Sequence, residues 1–285
     1  MKRFAILISR PGWHGEEIAK AFERRGAAAE FVYADRLVSA VGGTGKPSPL
    51  LAYDGMVVRG IPAGSLEQVI YRMDALAAVE RAGLKCVNSP KTIERTVDKY
   101  LTSQLLSEAG LPVPPTICCE SAAEAMEAFT VLGGDIVYKP LFGSCGNGLL
   151  RLQSGAEAEA EAAFGAIFEA GGVFYLQKFI PSGNSDVRAF VVGGRAVAGM
   201  RRTGRDWRAN VSQGGVAAAY TLSAEEERLA LAAASVVGAA VAGVDLLVSE
   251  EGETFVTEVN GCPGWKGLST VTDVDVPGEI VSLLL

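Results

Sequence analysis

Histidine is almost absent from this sequence, and cysteine pairs are missing. His14 is the only histidine among 285 residues, and the five cysteines include no Cys-x-x-Cys spacing. A structural zinc site and a secreted disulfide framework are therefore both poor explanations of the chain, and the expected location is cytoplasmic. A Ser/His or Cys/His catalytic apparatus would have to be built around His14 alone.

Positive charge and long apolar runs are also scarce. The chain carries 26 Lys and Arg against 33 Asp and Glu, a net charge of −7. No broad surface for nucleic acid or anionic lipid is expected, so an anionic ligand would be bound by a local basic cluster. The longest uncharged run, between Arg228 and Asp245, falls short of the roughly 20 apolar residues of a membrane helix. The apolar run at residues 4–8 is shorter than a signal peptide needs.

The order of sequence patterns predicts three lobes of mixed α/β and α+β architecture. In residues 1–88, short apolar runs alternate with amphipathic helices, which predicts parallel strands joined by crossover helices. Residues 89–175 predict a helical linker and a small α+β lobe. Residues 176–285 predict two hairpins around a helix at 224–242, and the first hairpin turns on the glycines at 193–194.

The second hairpin places two carboxylates on facing strands. A two-residue turn at 251–252 sets Asp245 opposite Glu258, and strict alternation puts Glu258 on the face of Val256 together with Asn260. Directly opposed like charges repel, so something must compensate. One carboxylate is protonated with a raised pKa, or both face water at a sheet edge, or a divalent cation lies between them. The oxygen-only set of Asp, Glu and Asn suits magnesium.

A glycine-rich loop supplies a second signal. The stretch VYKPLFGSCGNG ends a predicted strand on Lys139 and continues through Gly143, Gly146 and Gly148. Glycines let the backbone fold closely over an anion, and the lysine supplies a positive charge. By itself this loop is equally compatible with a hairpin connection. Together with the oxygen cluster it predicts phosphoryl transfer from ATP with magnesium, or with manganese in its place.

The order of these segments resembles the ATP-grasp superfamily, and within it the RimK-type carboxylate–amine ligases that attach glutamate. The resemblance covers essentially the whole chain and is close to the tetrahydromethanopterin glutamate ligase subgroup. It implies an ATP-grasp fold with an N-terminal parallel-sheet lobe, the pre-ATP-grasp lobe. The segments that carry it are NSPKTIERTVDK, VYKPLFGSCGNG, YLQKFI, SDVRAFVVGGR, WRANVSQGG, GVDLL, EVNGCPGWKGL and RGIPAGSLEQVIYRMDAL.

The resemblance implies a nucleotide site. Lys99 and Lys139 would contact the α- and β-phosphates, and the flap at 142–148 would close over the triphosphate. Asp186 would bind the ribose hydroxyls. The flap residues with an implied role are Gly143, Ser144, Gly146 and Gly148. The hinge residues, whose backbone would bind the adenine edge, are Gln177, Lys178, Phe179 and Ile180.

The resemblance also implies catalytic and metal-binding groups. The residues expected around the γ-phosphate and the carboxylate that accepts it are Arg188, Arg202, Arg208 and Asn210. Asp245, Glu258 and Asn260 would bind magnesium. Strand parity does not choose between Arg201 and Arg202, and only the resemblance favours Arg202.

Two positions depart from the family pattern. Lys178 stands where relatives usually have glutamate in the hinge, which puts nucleotide affinity in question. Cys145 stands in the flap where relatives often carry arginine, which removes a phosphate contact.

The implied reaction is a two-step ligation. ATP phosphorylates a substrate carboxylate to an acyl phosphate, and the amine of an amino acid displaces phosphate to form an amide. Glutamate is the expected amine and a pterin-type coenzyme the expected acceptor. Tyrosine- or tyramine-glutamate ligation, a peptide C-terminus as acceptor, and an ATP-binding protein that has lost catalysis are the alternatives. The N-terminal lobe is expected to help bind the acceptor and to contribute to a homo-oligomer interface.

Overall fold

The computed structural model of the chain describes residues 1–43, 48–143, 146–210 and 214–285. These residues form one parallel and two antiparallel sheets, each covered by helices, as predicted. The strands are β1 (Arg3–Ile8), β2 (Ala28–Tyr33), β3 (Gly55–Val58), β4 (Cys86–Val87), β5 (Thr116–Cys119), β6 (Asp135–Lys139), β7 (Leu150–Gln153), β8 (Phe174–Lys178), β9 (Ser185–Val192), β10 (Arg195–Thr203), β11 (Val216–Ala219), β12 (Val241–Val248) and β13 (Thr254–Asn260). The α-helices are α1 (Trp13–Arg24), α2 (Leu66–Arg81), α3 (Pro90–Val97), α4 (Lys99–Glu108), α5 (Ala122–Val131), α6 (Glu157–Glu169), α7 (Ala224–Val237) and α8 (Val276–Ser282). None of the helices in these segments has the length and apolar character that crossing a membrane requires.

The N-terminal sheet has the strand order β2-β1-β3-β4, and all its strands are parallel. Strand β1 is a continuous apolar run because both of its faces are covered. Phe4 and Ile6 pack on the side of α1 and α8, whereas Ala5 and Leu7 pack on the side of α2. The C-terminal helix thus completes the core of the N-terminal sheet.

One hydrophobic core joins the first and last parts of the chain. The cluster that contains Phe4 and Phe22 continues through Phe190 and Val241 of the C-terminal sheet and through Trp265. The N-terminal and C-terminal sheets therefore share buried surface. The three-part division at residues 88 and 175 stays a prediction.

The middle sheet has the order β5-β8-β6-β7 and is antiparallel. Alternate side chains of β6 and β8 point to opposite faces. Ile136 and Tyr138 pack against the core under α5 and α6, whereas Val137 and Lys139 line a cleft on the other face. Because of this alternation, Lys139 lies in the cleft although its neighbour Tyr138 on β6 packs in the core.

The C-terminal sheet has the order β11-β10-β9-β12-β13. The predicted two-residue turn at 193–194 is confirmed: Val192 pairs with Arg195, and the two glycines have φ of 56° and 75°, values that disfavour a side chain. The predicted helix at 224–242 is too long. Helix α7 ends at Val237, because Gly238 adopts a left-handed conformation with φ of 75° and caps it.

The second hairpin reaches the predicted pairing by a different route. Its turn is not the predicted two-residue loop, since the backbone N–H of Ser249 donates to the carbonyl of Glu253. A bulge at Thr257 shifts the register back by one residue, so that Asp245 lies opposite Glu258 as predicted. The expectation that Val256 and Glu258 share one face is wrong for the same reason. Val256 lies in the core under α7, whereas Thr257 and Glu258 line the cleft.

Candidate active site

A cleft between the middle and C-terminal sheets gathers most of the predicted site residues. Its empty space, including the part open to solvent, is about 960 Å³. The predicted residues that line it are Lys99, Lys139, Gly143, Gly146, Gln177, Lys178, Phe179, Ile180, Asp186, Arg208, Asn210, Asp245 and Glu258. Residues more than 150 positions apart in sequence thus meet at one site.

Other predicted residues do not line this cleft. Arg188 and Arg202 lie behind it, bonded to carboxylates that do line it. Gly148 does not line the cleft. It has a φ of 74°, and a Cβ there would lie 2.8 Å from Pro140 Cγ, so the backbone of the loop can take this path only because the residue is glycine. Asn260 Oδ1 accepts a hydrogen bond from the backbone N–H of Cys262, outside the cleft wall. Ser144 and Cys145 lie outside the described residues.

Lys139 belongs to a polar network that was not among the predicted features of the site. Its ammonium group donates to Gln177 Oε1 at 2.7 Å, and Gln177 Nε2 donates to the hydroxyl groups of Thr116 and Tyr175 at 3.0 and 3.1 Å. The Tyr175 hydroxyl lies 2.7 Å from Ser103 Oγ. Spacing offered a signal: Tyr175 is two residues before Gln177 on a strand, and Ser103 is one helical turn after the site residue at position 99.

Lys99 ties the glycine-rich loop to a helix. It is the first residue of α4, whose N-terminus is capped by the Asp98 side chain bonded to the Leu101 N–H. The Lys99 ammonium group donates to the carbonyl of Gly143 at 2.9 Å. The loop is therefore joined to the cleft wall by a cation.

The cleft has cationic groups that lack counter-ions. No ion pair in the described part of the chain includes Lys99, Lys139 or Glu258. Burial lowers the pKa of both lysines, that of Lys139 to about 8, and attraction to Glu258 offsets only part of this effect. Two cations with lowered pKa beside one carboxylate form a site suited to a polyanion.

Four charged residues form a continuous chain of ion pairs at the floor of the site. Arg202 bonds both carboxylate oxygens of Asp186 at 2.5 and 2.6 Å and one oxygen of Asp245 at 2.8 Å. Arg188 bonds both oxygens of Asp245 at 2.6 and 2.7 Å. The Arg202 side chain is 3% exposed and that of Asp245 is 5% exposed, so these charges depend on one another rather than on water.

The pKa values follow from this arrangement. Burial raises the pKa of Asp245, but attraction and hydrogen bonds from Arg188 and Arg202 outweigh burial and lower that pKa to about 2. Burial opposes the charge of Arg202, yet the two aspartates raise its pKa above the ordinary value. The pKa of Asp186 is raised, because burial outweighs the attraction of Arg202.

These ion pairs compensate the acidic pair in a way that differs from the three predicted alternatives. Asp245 is ionised and neutralised by two arginines, so the facing carboxylates do not by themselves require a cation between them. Glu258 lies in the cleft wall, and no described cation is within ion-pair distance of it. The donor set thus fits magnesium best through Glu258. The metal-binding roles of Asp245, Glu258 and Asn260 stay predictions.

The hinge segment has two of its backbone amides occupied. The N–H of Lys178 donates to the Pro115 carbonyl, and that of Phe179 donates to the Asp135 carbonyl. The Lys178 side chain is exposed, so the departure from the family pattern places its charge in solvent. The guanidinium carbon of Arg151 lies 3.4 Å from the centre of the Phe179 ring, which holds this wall of the cleft in place.

The remaining predicted arginine, Arg208, lies at the rim of the cleft. Arg208 is paired with Asp206 at 2.6 Å and its side chain is 39% exposed. Beside it Trp207 lines the cleft and meets Phe179 edge to face, with 6.4 Å between ring centres. Arg208 is held only by Asp206 and by the Trp207 ring, 5.5 Å from its guanidinium carbon, and it is more exposed than Arg188 or Arg202, so it is the arginine of the set that a ligand can recruit.

Comparison with known sequences identifies relatives along the whole chain. The RimK-like ATP-grasp domain family matches residues 96–284. A tetrahydromethanopterin:alpha-L-glutamate ligase from Methanosarcina acetivorans is 32% identical over 99% of this chain and 98% of its own length. The corresponding ligase of Methanococcus maripaludis is 31% identical over 98% and 96%. A probable alpha-L-glutamate ligase of Cellvibrio japonicus is 36% identical over 83% and 80%.

Solved structures share the fold. A RimK domain ATP-grasp protein from Sphaerobacter thermophilus has a TM-score of 0.78 and 24% identity, over 99% of both chains. The ATP-grasp ligase PsnB, solved with a phosphomimetic variant of a minimal precursor, Mg and ADP, has a TM-score of 0.77 and 20% identity, over 99% of this chain and 97% of its own. At these identities the likeness concerns the fold.

Proposed function

Because this chain belongs to the RimK-like ATP-grasp family, we propose that it joins glutamate to a small-molecule carboxylate, with conversion of ATP to ADP and phosphate. Family membership confirms the predicted ATP-grasp fold and the predicted class of ATP-dependent ligase. The identity of the two substrates belongs to the proposal. The relatives named as glutamate ligases support the amine, and the two tetrahydromethanopterin ligases support a pterin-type coenzyme as the acceptor.

The observation that carries the proposal is the convergence of two uncompensated lysines with Glu258 in one cleft. Lys99 and Lys139 would contact the phosphates of ATP, and the glycine-rich loop bonded to Lys99 would cover them. The amides of Lys178 and Phe179 are already bonded within the protein, so the next amide, that of Ile180, would bind the adenine edge. Asp186 would accept hydrogen bonds from the ribose hydroxyls only through those lone pairs of its carboxylate oxygens that Arg202 does not occupy.

The acceptor end would lie at the ion-pair chain and the rim. Arg208 and Asn210 line the cleft and would meet the γ-phosphate and the accepting carboxylate, whereas Arg188 and Arg202 act behind them by fixing Asp245. Magnesium held by Glu258 would neutralise phosphate charge. Attack of the carboxylate on the γ-phosphorus forms an acyl phosphate and releases ADP. The amine then forms the amide bond and releases phosphate.

The first test is turnover. Purified protein is incubated with ATP, magnesium and L-glutamate, each with a candidate acceptor, and ADP release and a product heavier by one glutamyl residue are measured. We expect repeated turnover, measured as more than one ADP per enzyme, to need both the amine and the acceptor, because without the amine each enzyme stops at the acyl phosphate. Failure of every pairing to release ADP, in a protein that binds ATP, would contradict ligase activity.

The pH dependence of nucleotide binding tests the role of Lys139. The pKa of this buried ammonium group is lowered to about 8, so it is protonated below pH 8 and loses its charge as the pH rises further. We expect the Kd for ATP, measured by titration calorimetry, to rise above pH 8 by up to about tenfold per pH unit. The Lys139→Arg variant should remove this rise, because arginine stays charged.

A matched control is an exposed lysine away from the cleft. Lys91 pairs with Glu94 on the surface of α3, and Lys91→Met should leave the pH profile of nucleotide binding as it is in the wild type. A wild-type Kd that is constant between pH 7 and 9.5 would show that Lys139 does not bind the phosphates as a cation.

A further inference from the structure

The order of the strands in the N-terminal sheet reverses at the carboxyl ends of β1 and β3, and the region beside these two strand ends is called the crevice below. The chain passes from β1 outward to β2 and then crosses to β3 on the other side of β1, so the order reverses between β1 and β3. Leu7 pairs with Val58 there, and the N–H of Arg59 donates to the carbonyl of Leu7 at 2.7 Å. In open parallel sheets, such a reversal point opens the crevice in which ligands bind.

A loop from the C-terminal lobe covers this crevice. The carbonyl of Pro263 accepts a hydrogen bond from Arg59 Nη2 at 2.8 Å, and the backbone N–H of Trp265 donates to His14 Nε2 at 3.1 Å. The guanidinium carbon of Arg59 lies 4.7 Å from the centre of the Trp265 ring. The crevice is therefore closed by segments that are about 200 residues apart in sequence.

Arg59 is a partly buried cation with no anion beside it in the described part of the chain. Its Nε atom is buried and bonded to no described group, and no described carboxylate forms an ion pair with it. His14 cannot balance the charge: it accepts from Trp265, and burial together with Arg59 and Lys266 lowers its pKa to about 4. Burial likewise lowers the pKa of Arg59. A guanidinium group with its Nε buried and no carboxylate beside it is costly to the fold, which points to a ligand that supplies the anion.

The crevice adjoins the ion-pair chain of the cleft. A Cβ added at Gly243 would lie 2.9 Å from Pro263 Cβ and 3.5 Å from Arg188 Nε. The residue whose carbonyl binds Arg59 thus packs beside the arginine that binds Asp245. A substrate that extends from the acceptor end of the cleft would reach Arg59 next.

We propose that Arg59 binds a substrate carboxylate in the crevice between the carboxyl ends of β1 and β3. Nη1 and the second N–H of Nη2 form no hydrogen bond with a described group, so this edge of the guanidinium group is left for a bidentate contact with a carboxylate, and Trp265 packs against the plane of the group. The carboxylate belongs either to the incoming acidic amino acid or to the acceptor. This inference rests on the proposed ligase function and adds the site that selects an anionic substrate.

The experiment measures binding of two probes to the full chain with ADP and magnesium present. L-Glutamate represents the amino acid, and glutarate, which has no amine, represents the acceptor carboxylate. The variants are Arg59→Met, which removes the charge, and Arg59→Lys, which keeps a charge but loses the fork. Arg36→Met is the control, because Arg36 also stacks on an aromatic ring of the same lobe, at 4.8 Å from the Tyr33 centre, and is exposed.

We expect the Kd of one or both probes to rise about 10- to 100-fold in Arg59→Met, with the Kd for ADP unchanged. A change for L-glutamate alone assigns the site to the amino acid, and a change for glutarate alone assigns it to the acceptor. Arg59→Lys should weaken the same probe to a smaller extent, and it decides the matter if Arg59→Met does not fold. Wild-type protein that binds neither probe, or variants that bind both as the wild type does, would overturn the proposal.

The two proposals fail separately. Absence of ADP release with every acceptor would contradict the ligase function, whereas the probe affinities need no turnover. Normal turnover with unchanged KM for both substrates in Arg59→Met would refute the carboxylate site and leave the ligase function standing.

Discussion

Replacing Arg202 by methionine is expected to lower the free energy of unfolding by about 3 to 5 kcal/mol. The side chain is almost fully buried and bonds Asp186 and Asp245 at once. Without it, Asp186 loses the ion pair that offsets part of the cost of its burial, and Asp245 keeps only Arg188. Methionine fills most of the volume, so the loss reports the uncompensated charge rather than a cavity. Urea unfolding followed by circular dichroism measures the change.

An exposed pair provides the comparison for Arg202. Arg228 and Glu225 lie 2.6 Å apart on the surface of α7, with side chains 60% and 57% exposed, and Arg228→Met should cost at most about 1 kcal/mol. The double variant Arg202→Met/Asp186→Asn should be more stable than Arg202→Met, because the buried Asp186 charge that Arg202 leaves unpaired is gone. A loss below about 1 kcal/mol in Arg202→Met would mean that the aspartates do not depend on it.

Changing Glu258 to glutamine is expected to reduce ADP release by about 100- to 1,000-fold while the fold stays intact. The carboxylate lies in the cleft wall, is bonded to no described cation, and is the best-placed candidate to hold magnesium against the phosphates. Glutamine keeps the shape and removes the charge. Steady-state ADP release with glutamate and an active acceptor measures the effect.

Nucleotide binding distinguishes the metal-binding role of Glu258 from a purely structural one. With magnesium, the Glu258→Gln variant should bind ATP more weakly than the wild type does. Without magnesium it should bind ADP at least as tightly, because a negative charge beside Lys99 and Lys139 has been removed. Glu250→Gln, in the exposed turn of the same hairpin, is the control and should behave as wild type. Turnover within threefold of wild type would refute the catalytic importance of Glu258.

Local features of the chain were predictable from the sequence because their causes are local. The turn at 193–194 forms because two glycines accept positive φ between strands of matching pattern. The parallel N-terminal sheet follows from apolar runs that alternate with amphipathic helices. The helix end predicted near residue 242 was wrong, since Gly238 caps α7 and the following residues pair with β9. Whether a glycine ends a helix or lies within a strand depends on its neighbours in space, and the sequence pattern does not contain that information.

The second hairpin pairs Asp245 with Glu258 as predicted, although its turn differs from the predicted one. Near the turn, the strands are paired one residue away from the predicted register, and the bulge at Thr257 restores the predicted register. The bulge also moves Glu258 from the core face to the cleft face. Bulges arise where packing on both faces of a sheet must be satisfied, and that packing here involves α7 on one face and the cleft on the other.

The sequence by itself determined the family, the segments that form the three sheets and most of the residues that meet in the cleft. These follow from motifs whose residues are close together in the chain. Tertiary structure alone decided which charges pair, and it placed Arg202 between Asp186 and Asp245, Lys139 against Gln177, and Arg59 beneath Trp265. Ion pairs and buried polar contacts depend on distance and desolvation in three dimensions, and neither quantity is encoded in sequence spacing.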